Sequence, residues 1–124
     1  MNIVEAFQSK EDAILGKGVS EEAIEAAEKE LGLSFANDYR EYLLNFGLAM
    51  CNGHEFTGIG KSERTNVVSV TKQMKEIFAD IPEDRYVIEN ENMDLALIWQ
   101  DSKGNVYFNR KKEFSSFTEF IREL

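Results

Sequence analysis

The sequence predicts a single α+β domain spanning residues 1–124, in which N-terminal helices pack on a mainly antiparallel sheet of about four to six strands and a C-terminal helix closes the fold. Three observations predict it. Apolar residues recur at helical spacing as far as Phe46, three β-rich runs separated by polar segments lie between residues 85 and 109, and a capping sequence at Ser116 opens a last apolar helix. A chain of 124 residues with 43% hydrophobic content, nine Phe, four Tyr and one Trp can fill one core without disulfides or metal.

Ile3, Phe7, Ile14 and Leu15 fall near one face of a first helix over residues 2 to 14, which Gly16 and Gly18 break. Ser20 is a good N-cap, Glu21 and Glu22 suit the positive end of the helix dipole, and Gly32 supplies a left-handed stop, so a second helix is expected over 21 to 31. Ala23, Ile24, Ala27 and Leu31 are its apolar stripe. Asn37 can cap a third helix carrying Tyr39, Tyr42, Leu43 and Phe46 and ending at Gly47. Residues 54 to 60 alternate weakly around Phe56 and read as a short or edge strand. Asn66-Val67-Val68 reads as a brief strand, followed by helical spacing of Val70, Met74, Ile77 and Phe78 up to the breaker Pro82.

Residues 85–89, 95–99 and 106–108 read as a meander, with Asp101-Ser102-Lys103-Gly104 as the turn of its last hairpin. Ser116-Phe117-Thr118-Glu119 has the form of a capping box, and Phe117, Phe120, Ile121 and Leu124 form one face of the closing helix.

Cys51 is the lone cysteine, so no internal disulfide can form, and a single thiol suits a reducing compartment. The N-terminal Met1-Asn2-Ile3-Val4-Glu5 has neither a basic segment nor an apolar run, and a cytoplasmic location with no membrane partner is expected. The net charge of −9, from 23 acids and 14 bases, argues against nucleic acid, because phosphate binding draws on clustered Lys and Arg and the one dense cluster here is Arg110-Lys111-Lys112. The same charge attracts basic proteins and speeds their approach.

The stretches Gly18-Val19-Ser20-Glu21-Glu22-Ala23-Ile24, Glu30-Leu31-Gly32-Leu33, Asp38-Tyr39-Arg40-Glu41-Tyr42-Leu43-Leu44 and Phe46-Gly47 resemble the SUKH superfamily, also called the SMI-KNR-like domain. Asn66-Val67-Val68, Ile81-Pro82, Gly104-Asn105-Val106-Tyr107 and Phe114-Ser115-Ser116-Phe117-Thr118-Glu119-Phe120 extend the resemblance, which runs from about Gly18 to Leu124. Ser34-Phe35-Ala36 departs from it, standing where the family usually has a leucine-proline pair. The resemblance implies an immunity protein that binds and neutralises a cognate bacterial toxin, a nuclease or a deaminase among the candidates. The alternative it implies is a regulatory or scaffold module for an endogenous partner. It implies neither catalysis nor a cofactor, and oligomeric state stays open.

Other motifs are weaker. Thr57-Gly58-Ile59-Gly60-Lys61-Ser62 ends like a phosphate loop, but Glu55 stands where the first glycine belongs and would repel phosphate. Cys51 and His54 lack a third ligand or an activating group in sequence, and residues 89 to 94 lack the glycine and closing Glu of a calcium loop, so no catalytic or metal residue is assigned. An enzyme using paired carboxylates is the third reading, with no cleft assigned to it. The acids are unevenly spread: residues 76 to 94 hold seven acids against Arg85 alone. Glu83, Asp84, Glu89, Glu91 and Asp94 are therefore the expected acidic rim for a partner, with Tyr86 or Trp99 as aromatic anchors; the competing reading is solvated charges and a core tryptophan.

Overall fold

In the computed structural model, which describes residues 1–91 and 96–124, a short helix α1 (Ile3–Gln8) leads to strand β1 (Ile14–Leu15), then helices α2 (Glu21–Leu31) and α3 (Asn37–Asn45). Strands β2 (Ala49–Cys51) and β3 (His54–Phe56), helix α4 (Val67–Ile77), strands β4 (Tyr86–Glu91), β5 (Ala96–Gln100), β6 (Val106–Phe108) and β7 (Lys111–Phe114) and helix α5 (Phe117–Arg122) complete the chain. Among the described residues the seven strands form one antiparallel sheet in sequence order, β1 to β7. The expected α+β class and closing helix are present, with one strand more than the upper expectation.

Local chemistry sets most boundaries. Ser20 Oγ accepts from Ala23 N–H at 3.2 Å, and Gly32 takes φ 69°, so α2 has the expected limits. Asn2 and Glu5 form a reciprocal box that starts α1, with Asn2 Oδ1 accepting from Glu5 N–H and Glu5 Oε1 from Asn2 N–H. That helix stops at Gln8, shorter than expected: Ser9 caps it, Lys10 N–H closes a tighter turn on the Phe7 carbonyl at 3.1 Å, and the chain then puts Ile14 and Leu15 into β1. Asn37 is the first residue of α3, and the N-cap is Ala36, which supplies no side-chain bond. The strand expected at Asn66–Val68 is instead the start of α4: Asn66 Oδ1 accepts from Val68 and Ser69 N–H at 2.9 and 3.3 Å, and that cap outweighs the β preference of two valines. The expected strand over 54 to 60 ends at Phe56.

Alternation along β4 and β5 divides the core. Tyr86, Ile88 and Ile98 face a main core with Phe7, Tyr39, Tyr42, Phe56, Phe117 and Ile121, lined by α1, α3 and α5. Val87, Leu97 and Trp99 face the other way, against Val70, Met74 and Phe78 of the α4 region. Both faces of the sheet centre are therefore dry.

The register shifts between Val87 and Glu89, and buried side chains satisfy the backbone that this irregularity frees. Val87 N–H donates to Thr71 Oγ1 at 3.0 Å, and Thr57 Oγ1 donates to the Val87 carbonyl at 2.8 Å. Tyr42 Oη donates to the Thr57 carbonyl at 2.7 Å, and Tyr39 Oη lies 2.9 Å from Thr57 Oγ1. Burial pushes the Tyr39, Tyr42 and Tyr86 phenols up, so they act as hydrogen-bonding groups and stay un-ionised at any working pH.

Asp101 organises the turn before β6. Gly104 takes φ 106°, and the Asp101 carboxylate accepts from the N–H groups of Lys103 and Asn105, from Asn105 Nδ2 and from Tyr107 Oη, all within 3.1 Å. Burial works against the charged form, but these hydrogen bonds prevail and hold its pKa below the ordinary carboxylate value. Because the folded pKa is depressed, Asp101 contributes stability above the unfolded value of about 3.9 and loses it as pH falls through the folded pKa. Asp101→Asn is accordingly expected to lower stability by about 1–2 kcal/mol at pH 7, with the gap to wild type narrowing below pH ~4. Urea unfolding at pH 7 and pH 3 measures both gaps, and equal gaps would contradict the assignment.

Candidate interaction surface

Glu83 is exposed and Asp84 half-buried on the loop that runs into β4, with Lys75 Nζ bonded to the Glu83 carbonyl at 2.8 Å. The Lys75 ammonium is made less basic by burial, which the carboxylates of Asp84 and Glu83 partly oppose. Glu91 ends β4, while Asp94 lies outside the described residues.

Tyr86 and Glu89 are turned inward, away from the expected rim, and Trp99 lies in a core as the competing reading has it. Tyr86 is fully buried: its hydroxyl accepts from Ala36 N–H at 2.9 Å and donates to Gln100 Oε1 at 2.7 Å. Gln100 Nε2 donates to Asp38 Oδ1 and to the Gly104 carbonyl, both at 3.0 Å, and Asp38 Oδ2 accepts from Thr118 N–H at 3.0 Å. Tyr86 is thus one post of a polar truss joining α3, β5 and α5. Trp99 is 1% exposed and packs under α4. Neither ring can anchor a partner in this conformation, because β4 and β5 are covered on both faces and each ring points into a core.

Glu89 is also inward, 2% exposed, with its two carboxylate oxygens 2.9 and 2.8 Å from His54 Nδ1. His54 stacks beside Phe56 and meets Phe120 edge-on, so the pair is set in an aromatic wall of the main core. The sequence assigns His54 no partner, because the β3–β4 register is what brings residues 35 positions apart together. Removing one partner takes a short hydrogen bond from a part-buried pair whose carboxylate side is 3% exposed. Glu89→Gln and His54→Ala are each expected to lose about 1–3 kcal/mol of stability. The double variant should lose less than the sum; strict additivity in a double-mutant cycle would show that the pair does not couple.

Cys51 sits opposite His54 in the β2–β3 register and is 2% exposed, with burial raising its thiol pKa, so it is a packed thiol with little thiolate character. Among the described residues no group of three His, Cys, Asp or Glu side chains is placed to hold a metal ion. The Thr57–Ser62 loop serves backbone packing: Gly58 N–H donates to the Thr65 carbonyl and Val67 N–H to the Gly58 carbonyl, both at 2.8 Å. Glu55, at the position a phosphate loop gives to glycine, is paired with Arg64, whose hydrogen bond holds the carboxyl below its ordinary pKa. A surface depression of about 630 Å³ lies between the starts of α3 and α5 and is lined by Asp38, Lys103, Ser116 and Arg122. Asp38 is committed there to the truss.

The exposed charge is spread over several elements. Arg40 bridges Glu21 and Glu28 at 3.3 and 2.6 Å, Lys72 meets Glu30, and Arg110 meets Asp80 through two bonds. Among the described residues no helix is long and apolar enough to cross a membrane.

Helices and sheet closed over two cores, in a chain of net charge −9, define a small acidic α+β domain. A family model described as SUKH_5, SMI1-KNR4 cell-wall, matches residues 1–124, and the chain belongs to that family. The match extends the resemblance seen from Gly18 onward to the α1–β1 segment as well. A search of curated proteins returns no match. The SUKH domains are generally non-enzymatic immunity and binding domains, which fits a protein-interaction role for this chain.

Proposed function

We propose that this protein is a bacterial immunity protein that neutralises a cognate toxin in the cytoplasm by stoichiometric binding, without a cofactor. The observation that carries the reading is a net charge of −9 on a SUKH domain, a surface suited to the basic face of a nuclease or another nucleic-acid-directed toxin. Binding occludes the toxin's own substrate site, so the mechanism is steric and electrostatic. Glu83 and Asp84 belong to the surface that steers this encounter. Co-expression with a candidate toxin found encoded beside it tests the reading: cells survive, and the two chains purify as a complex of fixed stoichiometry. Survival that persists in a variant unable to bind would sink it. Glu83→Lys with Asp84→Lys is expected to slow association about threefold or more at low salt, and stopped-flow mixing measures it.

The cell-wall wording of the family description favours one second reading, a regulatory or scaffold module for an endogenous protein. In that case deletion alters the host with no toxin present.

A further inference from the structure

Helix α4 covers the sheet face opposite the main core over β4 and β5, where Val87, Leu97 and Trp99 lie beneath it with Tyr107 of β6 packed against them. At the β1–β2 end, among the described residues, the same face keeps two apolar side chains exposed. Ile14 of β1 and Met50 of β2 are register partners, and their outward side chains are 67% and 41% exposed. Their strand neighbours Leu15 and Ala49 turn to the main core, which fixes the direction of the first two. Ile14, Met50, Leu48, Glu55 and Arg64 line a mostly apolar groove of about 260 Å³. Two of the four large exposed hydrophobics among the described residues are thus side by side, whereas Ile77 stands on α4, away from this pair. Scattered apolar residues need no explanation, but a paired set in a groove with a polar border has the anatomy of an interface centre.

Charge decides among occupants. The Glu55–Arg64 pair at the border is neutral as a unit, so the long-range field comes from the net −9, two-thirds of it carried by residues 1–45, which include β1. A second copy of this chain, a nucleic acid or an anionic lipid surface would be repelled.

We propose that the open outer face of β1 and β2 is a docking surface for a basic protein that seats an apolar side chain between Ile14 and Met50. This rests on the protein-binding reading above and names the face that reading leaves open. Ile14 and Met50 exclude water at the centre, while Glu55 and Arg64 give the rim hydrogen-bonding groups already held in place.

The test places a photo-crosslinking benzoylphenylalanine at residue 50, and separately at Glu25 and Ile77 as exposed controls, in cells of the native host. The expected result is a crosslink from residue 50 to a basic protein, identified by mass spectrometry and then purified. Its affinity for the chain should fall at least about tenfold with Ile14→Lys or Met50→Lys and stay within about twofold with Ile77→Lys. Thermal melts show that the variants fold. Crosslinks from the control positions alone, to a partner whose affinity ignores residues 14 and 50, overturn the proposed face and leave the protein-binding reading standing. A crosslink from residue 50 to a second copy of this chain overturns the occupant. The absence of any crosslink from all three positions, together with no protection in the co-expression assay, overturns both.

Discussion

Phe7→Ala is expected to lower the unfolding free energy by about 3–5 kcal/mol, the range for truncating a buried aromatic. The ring is fully buried and meets four others, Tyr42, Phe46, Phe56 and Phe117, at centroid separations of 5.5 to 5.8 Å. These partners come from α3 and its C-cap, β3 and α5, so one side chain joins elements scattered over the whole chain. Its own helix has six residues, too few to persist in water without tertiary contacts. The Asn2–Glu5 box sets where α1 begins, but Phe7 is what attaches it. Urea unfolding should show a lower midpoint at unchanged slope, and amide exchange in residues 3–8 should approach that of a free chain. Phe7→Leu, which keeps most of the volume, should lose under about 2 kcal/mol. A loss below about 1 kcal/mol for the alanine variant would mean that the ring is not at the centre of the core.

The contrast between α2 and α4 explains which parts of the fold were legible. In α2 the cap Ser20, the stop Gly32 and the Ile24/Ala27 stripe all act within one helix length, so sequence neighbours carry the whole signal. At Val67 and Val68 two local preferences disagree, β-branched side chains against the Asn66 cap, and packing of Val67 in the main core and Val70 under the sheet settles the matter for the helix. Strands β1 and β2 are two and three residues long, too short to show alternation, and β7 reads as Lys-Lys-Glu-Phe because an edge strand is protected from further pairing by its charges.

The acid-rich run divides between surface and core for a related reason. Composition places Glu83 and Glu89 in one acid-rich run, but the pleat and the β3–β4 pairing turn Glu89 inward to His54. Trp99 follows the same logic. Its place is decided by α4 on the far side of the sheet, about which its neighbours in sequence carry no information. Thr57 and Thr71 were invisible because the backbone groups they satisfy exist only where the register shifts.

Gly58→Ala is the other substitution expected to be severe, and it separates the two meanings of the Gly-x-Gly-Lys-Ser stretch. A Cβ at residue 58 would lie 1.6 Å from the Gly47 carbonyl oxygen and 2.8 Å from its carbon, both backbone atoms that cannot swing away. To make room, the 47–48 and 58–59 segments must part by more than an ångström, breaking the 3.2 Å bond from Ile59 N–H to the Gly47 carbonyl. Overpacking plus a lost buried hydrogen bond places the loss at about 3 kcal/mol or more. At Gly60 the nearest atom to a built Cβ is Leu48 Cδ1 at 3.0 Å, the end of a flexible side chain, so Gly60→Ala should lose less than about 1 kcal/mol. A phosphate-cradling loop would show the opposite priority, with both glycines needed for ligand approach and Gly60→Ala abolishing nucleotide binding at little change in stability. Chemical unfolding of the two variants, with ATP titrated into the wild type by calorimetry, distinguishes them. Near-equal stabilities of Gly58→Ala and wild type would remove the close backbone approach as the reason for glycine at this position.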